Sequence, residues 1–283
     1  MADSRSPWRL VIGPDLFSFS DLWRHYRVCR RNKRTTHSAL AFEVDLEANL
    51  LTLQSELRER RYRPGRSICF VTDGPKPREV FAADFRDRIV HHLLVAHQER
   101  VFEPRFIHDS YACRRGKGTL AASDRAMQFM REASANGRRP AWALKLDVAS
   151  FFASLHKETL LALLRRRIRH PDLLWLTEVV LFHDPTRDYD FKTKGRAIPP
   201  PGAPGHPIRP EKSLFGKSNQ RGLPIGNLTS QFWANVYLNE IDQFVKRELR
   251  VRHYVRYVDD MLLLATSPDE LRVWRDEIAR VLA

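Results

Sequence analysis

Several things are missing from this sequence, and each absence narrows what it can be. No hydrophobic run approaches the ~20 residues that a membrane-spanning helix needs. The opening stretch MADSRSPWRL carries no apolar core of a signal peptide. Cysteine is scarce: Cys29, Cys69 and Cys113 lie far apart and form no CxxC pair. A disulfide framework and a zinc knuckle are therefore not expected, and idle thiols in a reducing cytosol are. His91 and His92 have no acid or cysteine at ligand spacing, so packing or surface roles are expected for them. No internal repeat is present. Acidic residues are in deficit, 34 against 48 Lys and Arg, for a net charge of +14. Such a chain attracts polyanions, of which nucleic acid is the commonest. A ribosome-associated or membrane-surface protein would show the same sum. The expected setting is the cytoplasm of a bacterium or phage host, with no membrane partner.

What is present is enough for a folded core, since 43% of the residues are hydrophobic. Arg24–Arg34 (RHYRVCRRNKR) is a basic run with apolar spacing, read either as a solvated helix face or as a helix that tracks nucleic acid. Glu43–Arg60 has Leu46, Leu50, Leu53 and Leu57 at helical spacing. Two short strands are expected at Ser67–Thr72 and Arg78–Ala82, with DGPKP as their turn. A helix should begin at the N-cap Asp84 and run through Ile89, Leu93, Leu94 and Val101. Leu144, Leu146 and Val148 alternate with Lys145 and Asp147, the pattern of a half-buried strand. The helix KETLLALLRRRI follows. His183–Asn219, rich in Pro, Gly and basic residues, reads as a long irregular loop. A helix near Thr229 or Ser230 follows, then a hairpin, RHYVRYVDDMLLLA, whose turn is Asp259–Asp260.

Two adjacent aspartates between apolar strands need an explanation. In an exposed turn Asp is ordinary. Here aromatic and β-branched residues flank the pair closely, and a second strand ends on Asp147 followed by Phe151 and Phe152. A buried carboxylate cluster is costly unless a cation neutralises it. Mg²⁺ suits such a site, because it takes one or two carboxylates plus substrate phosphates. Two such ions about 3.5–4 Å apart can clamp both oxygens of a phosphoryl transfer.

YVDD at Tyr257–Asp260, LDVASFF at Leu146–Phe152 and GLPIGNLTSQ at Gly222–Gln231 resemble motifs of reverse transcriptases, in the family's order. PKPREV, FRDRIVHH and DSYACRRGKGT (Asp109–Thr119) resemble the motifs that precede them in bacterial retroelement enzymes. The resemblance covers Leu46 to Ala265. It implies an α+β right-hand polymerase with fingers and palm. By it, Asp147, Asp259 and Asp260 are catalytic, and with the Val148 carbonyl they hold two Mg²⁺ ions, with Mn²⁺ as a substitute. Phe152 matches the sugar-discriminating position, whose ring leaves no room for a 2′ hydroxyl. The backbone amides of Ser150 and Phe151 would face the triphosphate, and Lys76 and Arg78 would grip its phosphates. Ile225 and Gly226 fall at the nucleotide, and Gln231 and Tyr257 at template and primer. The implied partners are template RNA, cDNA and deoxynucleoside triphosphates.

The expected organisation is a basic N-terminal extension (1–36), fingers (37–140), palm with Asp147 (141–182), a Pro/Gly-rich basic loop (183–220), and palm with the YVDD hairpin (221–283). The sequence stops soon after Asp260, so the thumb is expected to be missing from this chain. One departure bears on function. The family usually has Gln-Gly and Ser-Pro where this chain has Ile225-Gly226 and Ser230-Gln231. That variant is similar to diversity-generating retroelement enzymes, which miscopy template adenines and work with a small basic barrel-forming accessory protein. The alternatives are a retron-type or antiphage-defence reverse transcriptase, and an inactive RNA-binding scaffold with a polymerase fold.

Overall fold

A computed structural model describes residues 15–31, 33–193 and 195–282. In chain order the elements begin with α1 (Phe19–Arg30), α2 (His37–Val44) and α3 (Leu46–Arg58). The strands β1 (Ser67–Val71) and β2 (Glu79–Ala82) follow, then α4 (Phe85–Phe102), α5 (Thr119–Ala133) and β3 (Trp142–Asp147). Next come the short α6 (Phe151–Ser154), α7 (Lys157–Arg165), α8 (Pro171–Leu181) and β4 (Tyr189–Lys192). The chain continues through α9 (Leu228–Gln243), β5 (His253–Tyr257), β6 (Asp260–Ala265) and α10 (Pro268–Leu282). It divides into two compact units: Met1–Glu103 with Phe152–Ser230, and Pro104–Phe151 with Gln231–Ala283.

In the first unit, the Ser18 hydroxyl caps α1 by accepting from the Asp21 amide. The buried side of α1 (Leu22, His25, Tyr26, Cys29) packs on α4. The basic run at Arg24–Arg34 is thus partly a packed helix, apart from residue 32, which lies outside the described residues. The leucine series at Glu43–Arg60 is split: Asp45 leaves helical geometry, and α3 buries Leu50, Leu53 and Leu57 but only half-buries Leu46. Asp84 caps α4 as expected, accepting from the Arg86 amide. Buried Asp87 accepts from the Tyr62 hydroxyl at 2.8 Å and the Gly65 amide at 2.7 Å.

The expected irregular loop is corrected at one place. Within it, β4 pairs in parallel with β1, making a three-stranded sheet in the order β2–β1–β4. Apolar residues in YDFK alternate with polar ones, and the rings of Tyr189, Phe81 and Phe215 pack edge to edge and tilted at 5.2–6.4 Å. That aromatic contact holds the strand where local propensity alone would not.

The second unit is built on the antiparallel sheet β3–β6–β5. Its register puts Leu146, Met261 and Arg256 in one row and Asp147, Asp260 and Tyr257 in the next, on the opposite face. The apolar side of α5 (Ala122, Phe129, Ala133) packs with Tyr111, Val255 and Leu264. No helix among the described residues is long and apolar enough to cross a membrane.

Candidate active site

The sheet of the second unit fixes where the aspartates stand. Asp147 is the last residue of β3, and its direct cross-strand partner is Asp260, the first of β6. Paired residues share a face, so both carboxylates and the Tyr257 ring lie side by side at one end of the sheet. The hairpin turn is Val258–Asp259 rather than the aspartate pair, since Asp260 is already in the strand. Nor is the cluster buried: Asp147 is exposed, and Asp259 and Asp260 are half-buried. This corrects the expectation of a buried charge cluster. At the open end of a sheet, water solvates the carboxylates and their mutual repulsion is weakened. Lys145 shares the Asp147 face and places its ammonium 3.1 Å from the Asp260 carboxylate.

Two residues bordering these acids are backbone outliers. Val258 has φ +54° and Ser150 φ +52°. The left-handed region is unfavourable for a β-branched residue and persists only where surrounding contacts over-determine it. In the Ser150 turn, the Phe151 amide donates to the Val148 carbonyl at 3.2 Å. Both backbone groups are thus engaged within the turn, although the carbonyl keeps a second lone pair. Phe151 is buried, with its ring 6.2 Å from Tyr237. Tyr257 accepts from the Thr119 hydroxyl at 3.1 Å, and the Gln231 side-chain oxygen lies 3.5 Å from the Cys113 sulfur.

Lys76, Arg78, Phe152, Ile225 and Gly226 belong to the first unit. Lys76 and Arg78 are exposed near the β1–β2 turn, which is closed by the Thr72 amide donating to the Arg78 carbonyl at 3.0 Å and the Arg78 amide donating to the Thr72 hydroxyl at 2.9 Å. Arg196 braces this hairpin, bonding the Val71 carbonyl at 2.7 Å and Asp73 at 2.5 Å. The Ile225 carbonyl accepts from the Phe81 amide at 2.8 Å, and the Asn227 side-chain oxygen accepts from the Ala83 amide. Gly226 sits between them at φ +116°, and a Cβ there would meet Val80 at 2.6 Å and the Phe81 carbonyl at 3.0 Å. Only glycine fits this approach. Phe152 is half-buried, and its carbonyl accepts from the Leu223 amide at 2.7 Å.

Among the described residues, no group of three or more His, Cys, Asp or Glu could hold a metal ion unaided. The paired Asp147 and Asp260, with Asp259 in the adjoining turn, are hard oxygen donors on one sheet end. They fit a Mg²⁺ that completes its shell from phosphates and water, and not one caged by protein alone. His91 and His92 gather no ligand set either. Burial lowers the His91 imidazole to about 3.

Sequence reasoning missed one group in this unit. Arg256, fully buried, pairs with fully buried Asp242 of α9. No local pattern marked it: Tyr254, Val255 and Arg256 are buried one after another, so β5 shows no inward and outward alternation from which a buried arginine could be read.

A family model described as reverse transcriptase (RNA-dependent DNA polymerase) matches residues 74–283. Two relatives are similar over 76% of the chain. One, from Schizosaccharomyces pombe, is called "Uncharacterized 91 kDa protein in cob intron" and is 23% identical. The other, "Protein YkfC" of Escherichia coli K12, is 26% identical. The matches cover 22% and 48% of those proteins' own lengths.

Proposed function

The chain belongs to the reverse transcriptase (RNA-dependent DNA polymerase) family, and from that premise we propose that it copies an RNA template into DNA from deoxynucleoside triphosphates. The observation that carries the reading is the pairing of Asp147 with Asp260 across β3 and β6, beside the Asp259 turn. In this reading Asp147, Asp259, Asp260 and the Val148 carbonyl hold the ions. When bound, two Mg²⁺ ions would neutralise the triphosphate and draw the primer hydroxyl toward it, with Mn²⁺ as a substitute. Lys145 offsets part of the carboxylate charge. Lys76 and Arg78 hold the phosphates, and Arg suits them because its fork bonds two oxygens at once. The Ser150 amide faces the triphosphate, Phe152 excludes the 2′ hydroxyl, and Gln231 and Tyr257 meet template and primer.

Primer extension on an RNA template tests this. Asp147→Asn or Asp259→Asn should lower incorporation about a hundredfold or more with the fold intact, because each removes a charged oxygen donor. A folded variant that keeps more than about a tenth of the wild-type rate would show that the acids are not the reaction's metal-holding groups.

The subtype we propose is the error-prone, diversity-generating one, working with a basic barrel-type accessory protein. Ile225 supports it. Its carbonyl is tied to β2 and its neighbour can only be glycine, so of these two residues only the side chain at 225 is left without a backbone constraint. An aliphatic chain there removes a polar contact near the nascent pair, and such a contact is worth about 1–3 kcal/mol, or roughly 10–200-fold in discrimination. Ile225→Gln should lower misincorporation opposite template adenine while most activity remains. Sequencing cDNA from both proteins on one template decides it, and equal adenine error rates would exclude Ile225 as the determinant. An intron-borne enzyme is the second reading, favoured by the relative named for the cob intron. A wild type accurate at adenine would favour it.

A further inference from the structure

We propose that Arg256 is a positioning residue for the aspartate turn, holding it through the carbonyl of Val258. This rests on the reading of Asp259 and Asp260 as reacting-site acids. Arg256 has no solvent exposure, and its guanidinium divides into two arms. Nε and Nη2 bond the two Asp242 carboxylate oxygens at 2.8 and 2.6 Å, a forked pair fixed to α9. Nη1 bonds the Val258 carbonyl at 2.9 Å and the Asn235 side-chain oxygen at 3.1 Å. Asn235 and Asp242 are two helical turns apart and so share one face of α9. Asn235 is itself held by donating to the Ala112 carbonyl at 2.8 Å. Nη2 also lies 3.4 Å from the Ser110 hydroxyl, and the Arg256 backbone exchanges 2.9 Å hydrogen bonds with Asp109 and Tyr111. The guanidinium therefore cannot swing without breaking its ion pair.

Val258 is where this rigidity matters. It is a β-branched residue at φ +54°, a conformation it leaves unless something holds it. Its carbonyl belongs to the peptide that leads directly into Asp259. A carbonyl fixed from below orients that peptide plane, because the plane itself does not bend. The left-handed turn then carries Asp259 to the same sheet end as Asp147 and Asp260. A lysine could keep the charge pair with Asp242, but a single ammonium lacks the planar fork to reach Val258 as well.

The test compares Arg256→Lys with Tyr254→Phe. Tyr254 donates to the same Asp242 oxygen at 2.8 Å from the same strand but does not touch the turn. Both variants should melt lower than wild type. Arg256→Lys alone should speed amide exchange in a 257–261 peptide of the metal-free protein and, in primer extension, lower kcat about tenfold or more and raise the Mg²⁺ needed for half-maximal rate, with the KM for deoxynucleotide within about twofold. Exchange and kcat at wild-type values in folded Arg256→Lys would overturn the proposal. So would the same losses in Tyr254→Phe, which would make the role merely structural. If Arg256→Lys does not fold, Val258→Gly decides. Glycine adopts the left-handed turn without strain and keeps the carbonyl that Arg256 holds, so with the clamp in place exchange in 257–261 and kcat should stay within about twofold of wild type. Faster exchange together with a roughly tenfold lower kcat in folded Val258→Gly would show that the bond to the carbonyl does not hold the turn and would overturn the proposal. Exchange is read without catalysis, so a wild type that incorporates nothing would count against the polymerase reading and leave the clamp to be judged by exchange alone.

Discussion

The two units bury polar chemistry in opposite ways. The first buries titratable groups that burial pushes toward their neutral forms. Burial pulls His25 and His91 down to about 3 and His97 to about 4, and lowers the Lys157 ammonium to about 8. The second buries a full ion pair, Arg256 with Asp242, in which hydrogen bonds meet both partners. A neutral imidazole left without a partner in a core costs only the smaller desolvation of a neutral polar group. A buried charge needs one in good geometry, and that requirement dictates positions around it. The unit that presents the aspartates is the one organised by the geometrically demanding group.

Breaking that pair should have the largest effect. Asp242→Ala leaves the Arg256 guanidinium buried without its carboxylate and should destabilise the second unit by about 3–5 kcal/mol. Denaturant unfolding followed by exchange in β5 and β6 measures it. A loss below about 1 kcal/mol would mean that water enters and solvates the guanidinium.

Acid should strike the first unit instead. Each of the three histidines has a folded value below its unfolded 6.5, so the unfolded chain binds more protons as pH falls below about 6.5. The stability they contribute is complete above that value and declines through the interval down to about 3–4. At pH 5 the cost is on the order of 2 kcal/mol per histidine, an upper figure. The neighbourhood adds no relief for His25, which faces His92, His97, Arg24 and Arg100, or for His91, which faces His92, His183 and Arg88. His97 faces Asp21 as well as Arg100 and Arg24, and is lowered less. In the second unit His253 is also lowered by burial, with Glu132 opposing the shift. Exchange at pH 5 and pH 7.5 should therefore show α1 and α4 loosening before β5 and β6. The reverse order would break the comparison.

The smallest effect is expected where charge is exposed. The Lys145–Asp260 pair is open to solvent on both sides, so Lys145→Ala should change stability by less than about 1 kcal/mol. Thermal melts at low and high salt check this, and a larger loss would mean that the pair is not screened as its exposure requires.

Much of the layout was legible in the sequence. The leucine spacing in α3, the Asp84 cap, the alternation in β3 and the hairpin around YVDD depend on contacts between residues close in the chain, so local pattern suffices. The same holds for the two acidic motifs and for their likeness to a family. What failed depended on distant partners. β4 exists because Tyr189 meets Phe81 and Phe215, and its residues read locally as loop. Leu46 was placed in the core by its spacing, but Asp45 resets the helix before it. The contact that demands glycine at 226 comes from Val80 and Phe81, far away in the chain, and no local pattern foretold it.

The element types, the basic charge and the acidic motifs thus follow from local pattern, because periodicity, composition and turn chemistry involve residues close in the chain. Long-range pairing is what sets Asp147 against Asp260 and not Asp259, leaves the acids at an open sheet end, and brings Arg256 under the turn to Val258. Each of these is a matter of register or of a side chain meeting a partner far away in sequence. A one-residue slip between β3 and β6 would send Asp260 to the other face without altering any local pattern that the sequence contains.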